Sequence, residues 1–270
     1  MSLPNGNLNP KTKKYFISRR IDSIFISLHD VYQFIIRFFK EAVLPPYEFK
    51  ELSRQCYEVG YRSLPLISLT GFITGFVFTN QSRPSLSEFG ATSWLPSLIS
   101  IAVVRALAPL VTALIAAGKV GSNMGAELGS MKVTEQIDAM EVSATNPFKF
   151  LVVTRVMATT FMIPLLVIYT AMVGLLGSYL SVHSNEQTSW AAFFTQVFES
   201  ISFLDLFSTM IKSTIFGFTI GLVGCYQGYN SSKGTEGVGK AANSAVVAAM
   251  FLIFIEEIII VQIVNAIRIT

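Results

Sequence analysis

The sequence predicts an all-α integral membrane fold: an N-terminal interfacial amphipathic helix, five transmembrane helices, and a short cytoplasmic helix between spans two and three. Three observations predict it. The 270 residues are 51% hydrophobic and 14% charged, with a mean hydropathy of +0.54, whereas a soluble domain carries about a quarter charged residues. Five apolar stretches, at 64–82, 92–117, 148–181, 206–229 and 241–267, are each long enough to cross about 30 Å of hydrocarbon. Lysine and arginine gather on alternate connectors, as cytoplasmic loops require.

The elements follow in order. Residues 1–14 form a polar tail; no apolar run stands behind its lysines, so it does not read as a cleavable signal. Residues 15–62 form an interfacial helical segment. Within it Ile17, Ile21, Ile24, Phe25, Leu28, Val31, Ile35 and Phe38 recur at helical spacing, while Arg19, Arg20, Asp22, His29, Asp30 and Arg37 interrupt any span. Such a helix lies in the membrane surface, and Pro45-Pro46 ends it. The third apolar stretch is over-long, so it tilts or begins in the interface. The segment 183–205, with Trp190 and several phenylalanines, reads as a re-entrant or surface-lying piece of an aromatic belt. Lys11, Lys13, Lys14, Arg19 and Arg20 precede the first span. Lys119, Lys132 and Lys149 lie between the second and third spans, and Lys233 and Lys240 between the fourth and fifth. The other side offers Arg83, Lys212 and Arg268. The N-terminus and both basic connectors are therefore expected in the cytoplasm, and the C-terminus outside.

Several function classes drop out. No basic, aromatic surface for nucleic acid is visible. Cys56 and Cys225 lie far apart, and with only His29 and His183 beside them no metal site can be argued. The glycine-rich run 228–239 lacks phosphate-loop spacing. No nucleophile–base arrangement of a hydrolase is present, and no cofactor is expected.

The stretch 118–149 carries the most information. Gly118, Gly121, Gly125 and Gly129 recur at intervals of three or four, which lets helices approach closely. Lys132, Glu135, Asp138 and Glu141 then alternate with Met131, Val133, Ile137, Met140 and Val142, up to Asn146-Pro147. A compact amphipathic helix in a connector suits docking of a cytosolic partner; a solvated interfacial helix is the alternative. Charges at membrane depth are costly and face a cavity or a partner. Arg105, Lys212, Glu256 and Glu257 are such charges. Arg105 either meets a lipid headgroup or a carbonyl of a second copy of the chain, or snorkels outward. The two glutamates either pair with Arg105 or Lys212, or stand as neutral carboxyls.

The run AGKVGSNMGAELGSMKVTEQIDAMEV with NPFKFLVVTRVMA behind it resembles the signature of the MlaE (YrbE) permease family. So do GFITGF in the first span, RALAPLVTALI in the second, and IKSTIFGFTIGLVGCYQGYNSSKGTEGVGKAANSAVV across the fourth and fifth. The resemblance covers about residues 60–250 and makes 63–270 a permease domain. It implies the transmembrane subunit of an MCE-type ABC transporter of the bacterial inner membrane that moves phospholipid or a related lipid between membranes. Its implied partners are a cytosolic ABC ATPase, a single-span MCE-domain protein and a second copy of the chain. It implies that the helix around Glu127, Lys132, Glu135, Gln136, Asp138 and Met140 couples to the ATPase. It also implies that Phe78, Leu86, Phe89 and Leu107 line the lipid path, with Arg105 beside them. The chain departs from the family at Ala106, where a glutamate is usual, and at Thr154, where a proline is usual. Two other classes compete: an ion-coupled secondary transporter using Glu256 and Glu257, and a membrane enzyme acting on lipid. No internal repeat favours the first, and no reactive constellation the second.

Overall fold

A computed structural model describes residues 10–232 and 234–269, with side chains for Phe25, 28–232 and 234–267. The tail at 1–9, Lys233, and the side chains of Arg268 and of the basic residues at 11–20 lie outside the described residues. Among those described there is helix and no strand. The chain divides into two units, Met1–Pro45 and Pro46–Thr270.

The first unit is one helix, Pro10–Val43. The proline pair ends it by removing backbone donors and fixing φ. Phe25, Leu28, Tyr32, Ile36, Phe39 and Val43 are all exposed. Their steps of three and four place them on one face, the apolar stripe of a surface-lying helix.

The second unit holds five helices long and apolar enough to cross a membrane: Phe49–Glu88, Thr92–Val133, Phe148–Glu186, Phe203–Tyr229 and Thr235–Ile267. The number is as expected, but one boundary is not. Phe49–Val59 leads into the first span through a short turn at Tyr61–Ser63. The second span runs 42 residues to Val133, about 60 Å at 1.5 Å per residue. Residues 118–133, read above as connector, are its last turns. They stay helical because neighbouring helices cover them, not because they are apolar.

Small residues make that cover. A Cβ on Gly125 would meet the carbonyl of Ala241 at 3.1 Å, and one on Gly228 would meet the Leu128 side chain at 2.7 Å. The second span thus packs on the fourth and fifth. A Cβ on Gly75 would overlap the Gly174 carbonyl, and Gly71 faces Thr170, so the first and third spans run parallel with backbones in contact. With no hydrophobic drive between helices inside lipid, such close packing holds them together. Hydroxyl pairs add to it: Ser68 with Tyr169 and Thr112 with Thr170, both at 2.7 Å.

The connector between the second and third spans is shorter than expected. Glu135 takes φ 58° and ends the long helix. A separate helix, Gln136–Val142, follows. Ala144, also at φ 58°, and Pro147 lead into the third span. At the other end of the bundle the segment 183–205 folds as a helix, Trp190–Ser200, capped by Ser189. Trp190 packs on Tyr179 at 4.8 Å and on Phe194 at 4.3 Å. Ser202 and Asp205 then form a reciprocal capping box that opens the fourth span.

Candidate functional site

Two places gather the polar chemistry of this apolar chain. The first lies inside the bundle and begins with a local fault in the second span. Val103–Leu107 is a π-helical turn, in which the Ala108 N–H reaches back five residues to the Val103 carbonyl. The Val104 carbonyl thereby loses its helical donor. The next carbonyl, on Arg105, faces Pro109, which has no N–H. Unpaired backbone carbonyls are costly in a membrane. The fourth span supplies both missing donors: Thr209 Oγ1 donates to the Val104 carbonyl at 3.3 Å, and Lys212 Nζ to the Arg105 carbonyl at 3.1 Å.

The charges then pair off. Lys212 Nζ stands 2.8 Å from Glu257 Oε1, and Arg105 Nε 3.1 Å from Asp205 Oδ1. The other oxygen of Asp205 accepts from Ser202, so the carboxylate also sits at the N-terminus of the fourth span, where the helix dipole favours it. Glu256 stands apart, accepting from Thr219 Oγ1 at 2.5 Å. Of the two glutamates, Glu257 and not Glu256 meets a cation in the described structure. A cavity of about 250 Å³ opens beside this cluster, walled by Arg105, Ala106, Ser208, Lys212, Glu257 and Asn265. The small side chain of Ala106 leaves it room, and its carboxylate comes from the fifth span.

The expected lipid wall does not assemble around Arg105 within one chain. None of Phe78, Leu86, Phe89 and Leu107 lines that cavity. Leu107 borders a narrow gap with Gly71, Thr74 and Thr170, toward the first and third spans. Phe78 and Leu86 are half-buried, and Phe89 is 83% exposed. Asp205, by contrast, was missed as a partner for Arg105. Its signal was the Ser202-x-x-Asp205 spacing of a capping box, which fixes a carboxylate at a helix start.

The second place is the short helix after Val133. Lys132 Nζ reaches across the break to Asp138 Oδ1 at 3.5 Å, and Ile137 is fully buried. The buried Ile137 anchors the helix, and the exposed Lys132–Asp138 pair adds little to it. Glu135, Gln136, Asp138 and Glu141 are exposed, and Met140 is half-buried. Val142, placed on the apolar side by spacing alone, is instead 90% exposed. Glu127 differs from the rest of the expected coupling set. It lies within the long helix and meets the fully buried Arg155 of the third span, with Nη2 3.0 Å from Oε2. Arg155 Nη1 also donates to the Leu151 carbonyl at 2.9 Å. Glu127 is therefore a strut between two spans.

The family model described as permease MlaE matches residues 52–263. The chain belongs to the MlaE permease family. A probable ABC transporter permease protein of Rickettsia typhi is 37% identical over 220 residues, covering 82% of this chain and 85% of the relative. One of Synechocystis is 36% identical over 199 residues, 74% of this chain and 76% of its own length. One of Pyropia yezoensis is 34% identical over 209 residues, 77% and 80% respectively. This MlaE-family chain is thus a multi-pass membrane protein of the ABC transporter permease kind, and the short helix and the polar cluster both fall inside the matched region.

Proposed function

We propose that the chain is the membrane-spanning subunit of an ABC transporter that moves phospholipid or a related lipid between membranes, driven by a separate cytosolic ATPase. The pinned helix Gln136–Val142 carries this reading. A partner that does mechanical work needs a grip that is exposed yet rigidly tied to the spans. The helix offers acidic side chains and the bare Val142, while the buried Ile137 anchors it to its base. The end of the bundle bearing this helix faces the cytoplasm of a bacterial inner membrane, and the N-terminal helix starts on the same side, as the distribution of lysine and arginine supports. A second copy and a single-span MCE-domain protein complete the assembly. The cavity beside Arg105 is smaller than the roughly 300–1,000 Å³ of an ordinary ligand pocket, so a two-tailed lipid needs walls from two copies. Phe78, Leu86 and Phe89, left uncovered or half-covered in one chain, are available for such walls.

The test is capture of the ATPase. Glu141 and Val142 are exposed, so Glu141→Lys/Val142→Asp leaves the bundle intact and spoils the grip. The permease variant is expected to keep its melting temperature and lose co-purifying ATPase. Unchanged co-purification with unchanged lipid-stimulated ATP hydrolysis rejects the docking assignment.

A further inference from the structure

A cavity larger than the one beside Arg105 lies apart from the polar cluster and from the short helix Gln136–Val142. It measures about 590 Å³ and is walled by Arg54, Glu58 and Arg62 from the start of the first span, Phe49–Glu88, and by Lys119, Asn123 and Glu127 from the second. Its level along the bundle follows from the sequence. Arg62 sits just before Leu64, where the first apolar run begins, and Lys119 just after the second apolar run at 92–117. Both lie where hydrocarbon gives way to headgroups. The side chains of Arg54 and Arg62 are 58% and 62% exposed, so the cavity opens to the surroundings.

Its charges are not balanced. Arg54 is held by Glu51 at 2.6 Å, Arg62 by Glu58 at 2.8 Å, and Glu127 by Arg155 at 3.0 Å. Lys119 makes no direct ion pair among the described residues: Glu58 acts on it only at longer range and is itself bound by Arg62. Its Nζ donates to the Arg62 carbonyl and to Ser63 Oγ, neutral acceptors that aim the ammonium, and the group of Arg54, Arg62, Lys119 and Arg155 against Glu51, Glu58 and Glu127 keeps one positive charge in excess. A lysine without a direct ion pair, in a roomy cavity with an excess positive charge between spans at headgroup level, is a seat for an anion. Basic pockets of this kind bind lipid headgroups, and the third donor of an ammonium is free to reach a phosphate oxygen.

We propose that this cavity seats the phosphate of an anionic phospholipid headgroup, held by Lys119. The site stands on the bilayer-spanning fold and does not require that the bound lipid be the transported one. It belongs to the leaflet on the side of the short helix Gln136–Val142, far along the bundle from Arg105.

Native mass spectrometry of the full chain in detergent, titrated with phosphatidylglycerol and separately with phosphatidylcholine, tests it. Wild-type chain is expected to retain phosphatidylglycerol preferentially. Lys119→Gln is expected to lower that retention at least about tenfold, the size of a charge-assisted hydrogen bond, and Lys119→Arg to restore most of it. Equal retention by Lys119→Gln overturns the proposal. Displacement of the lipid by millimolar inorganic phosphate also overturns it, because the site then takes free phosphate. Loss of ATPase co-purification from Lys119→Gln with lipid retention unchanged makes the cavity a protein socket and overturns it equally. Should Lys119→Gln fold poorly, Asn123→Trp fills the cavity from an exposed position; it is expected to keep the melting temperature and lose the lipid, and retention of the lipid rejects the site. Lipid transfer by the reconstituted transporter is a separate measurement, so failure of the transport reading leaves this readout unaffected.

Discussion

Lys212 holds together three things that would each be costly alone: the carbonyl orphaned by Pro109, the carboxylate of Glu257, and its own charge. Removing one member of a buried pair strands the other, at about 3–5 kcal/mol. Lys212→Met is therefore expected to lower the melting temperature sharply, and adding Glu257→Leu to recover part of the loss. The remainder is the stranded Arg105 carbonyl. In a Pro109→Ala background that carbonyl regains an N–H, so Lys212→Met should cost measurably less there than in the wild type. A double-mutant cycle on thermal unfolding reads the difference, and additivity within error would show that the carbonyl contact is energetically idle. The residue types of this cluster were legible as intramembrane charges. Their pairing was not: which glutamate meets Lys212 depends on the rotation of the fifth span, and no local pattern reports that. The role of Pro109 was legible in principle, since a proline in a helix always frees the carbonyl four residues before it.

At the level of elements, the glycines carry the packing. A Cβ at Gly75 collides with backbone of the third span, whereas one at Gly118 meets nothing nearer than Met250 Cε at 3.8 Å. Gly75→Ala is expected to destabilise by at least about 2 kcal/mol through forced separation of two backbones. Gly118→Ala should be neutral or mildly stabilising, because alanine favours a helix by up to about 1 kcal/mol over glycine. Melting of the two purified variants side by side checks this, and equal melting points would reject the packing account. The five spans were legible because hydropathy alone specifies them. The end of the second span was not, because residues 118–133 are too polar to read as membrane and too glycine-rich to read as helix. Contacts such as Gly125 on Ala241 and Gly228 on Leu128 override that local preference. The break at Glu135 was equally silent, since glutamate has no particular liking for φ 58°. Val142 was put on the wrong side because helical spacing was carried across that break.

For the whole molecule, assembly is the open quantity the fold bears on. The fifth span is the least buried of the five, and Phe251, Phe254, Ile258 and Ile259 stand exposed along it. Lipid can cover such a face, but the cavity of about 250 Å³ that the span borders through Glu257 and Asn265 falls short of an ordinary ligand pocket within one chain. Closed two-fold pairing is the commonest way to complete such a surface. Native mass spectrometry of the detergent-solubilised transporter is expected to show two copies of this chain, and an active particle with one would refute the pairing.

The π-helical turns at Val103–Leu107 and Ala117–Gly121 have a consequence for azimuth. A π turn accommodates one extra residue in a helix of 3.6 residues per turn, so each turn swings everything after it by about 100° around the axis. The second span is thus three straight rods with three different headings. The rod beyond Gly121 points its glycines at the fifth span and its Glu127 at Arg155. Straightening either turn would leave every side chain beyond it chemically intact and facing the wrong neighbour, so the bearing of the short helix Gln136–Val142 is set within the second span.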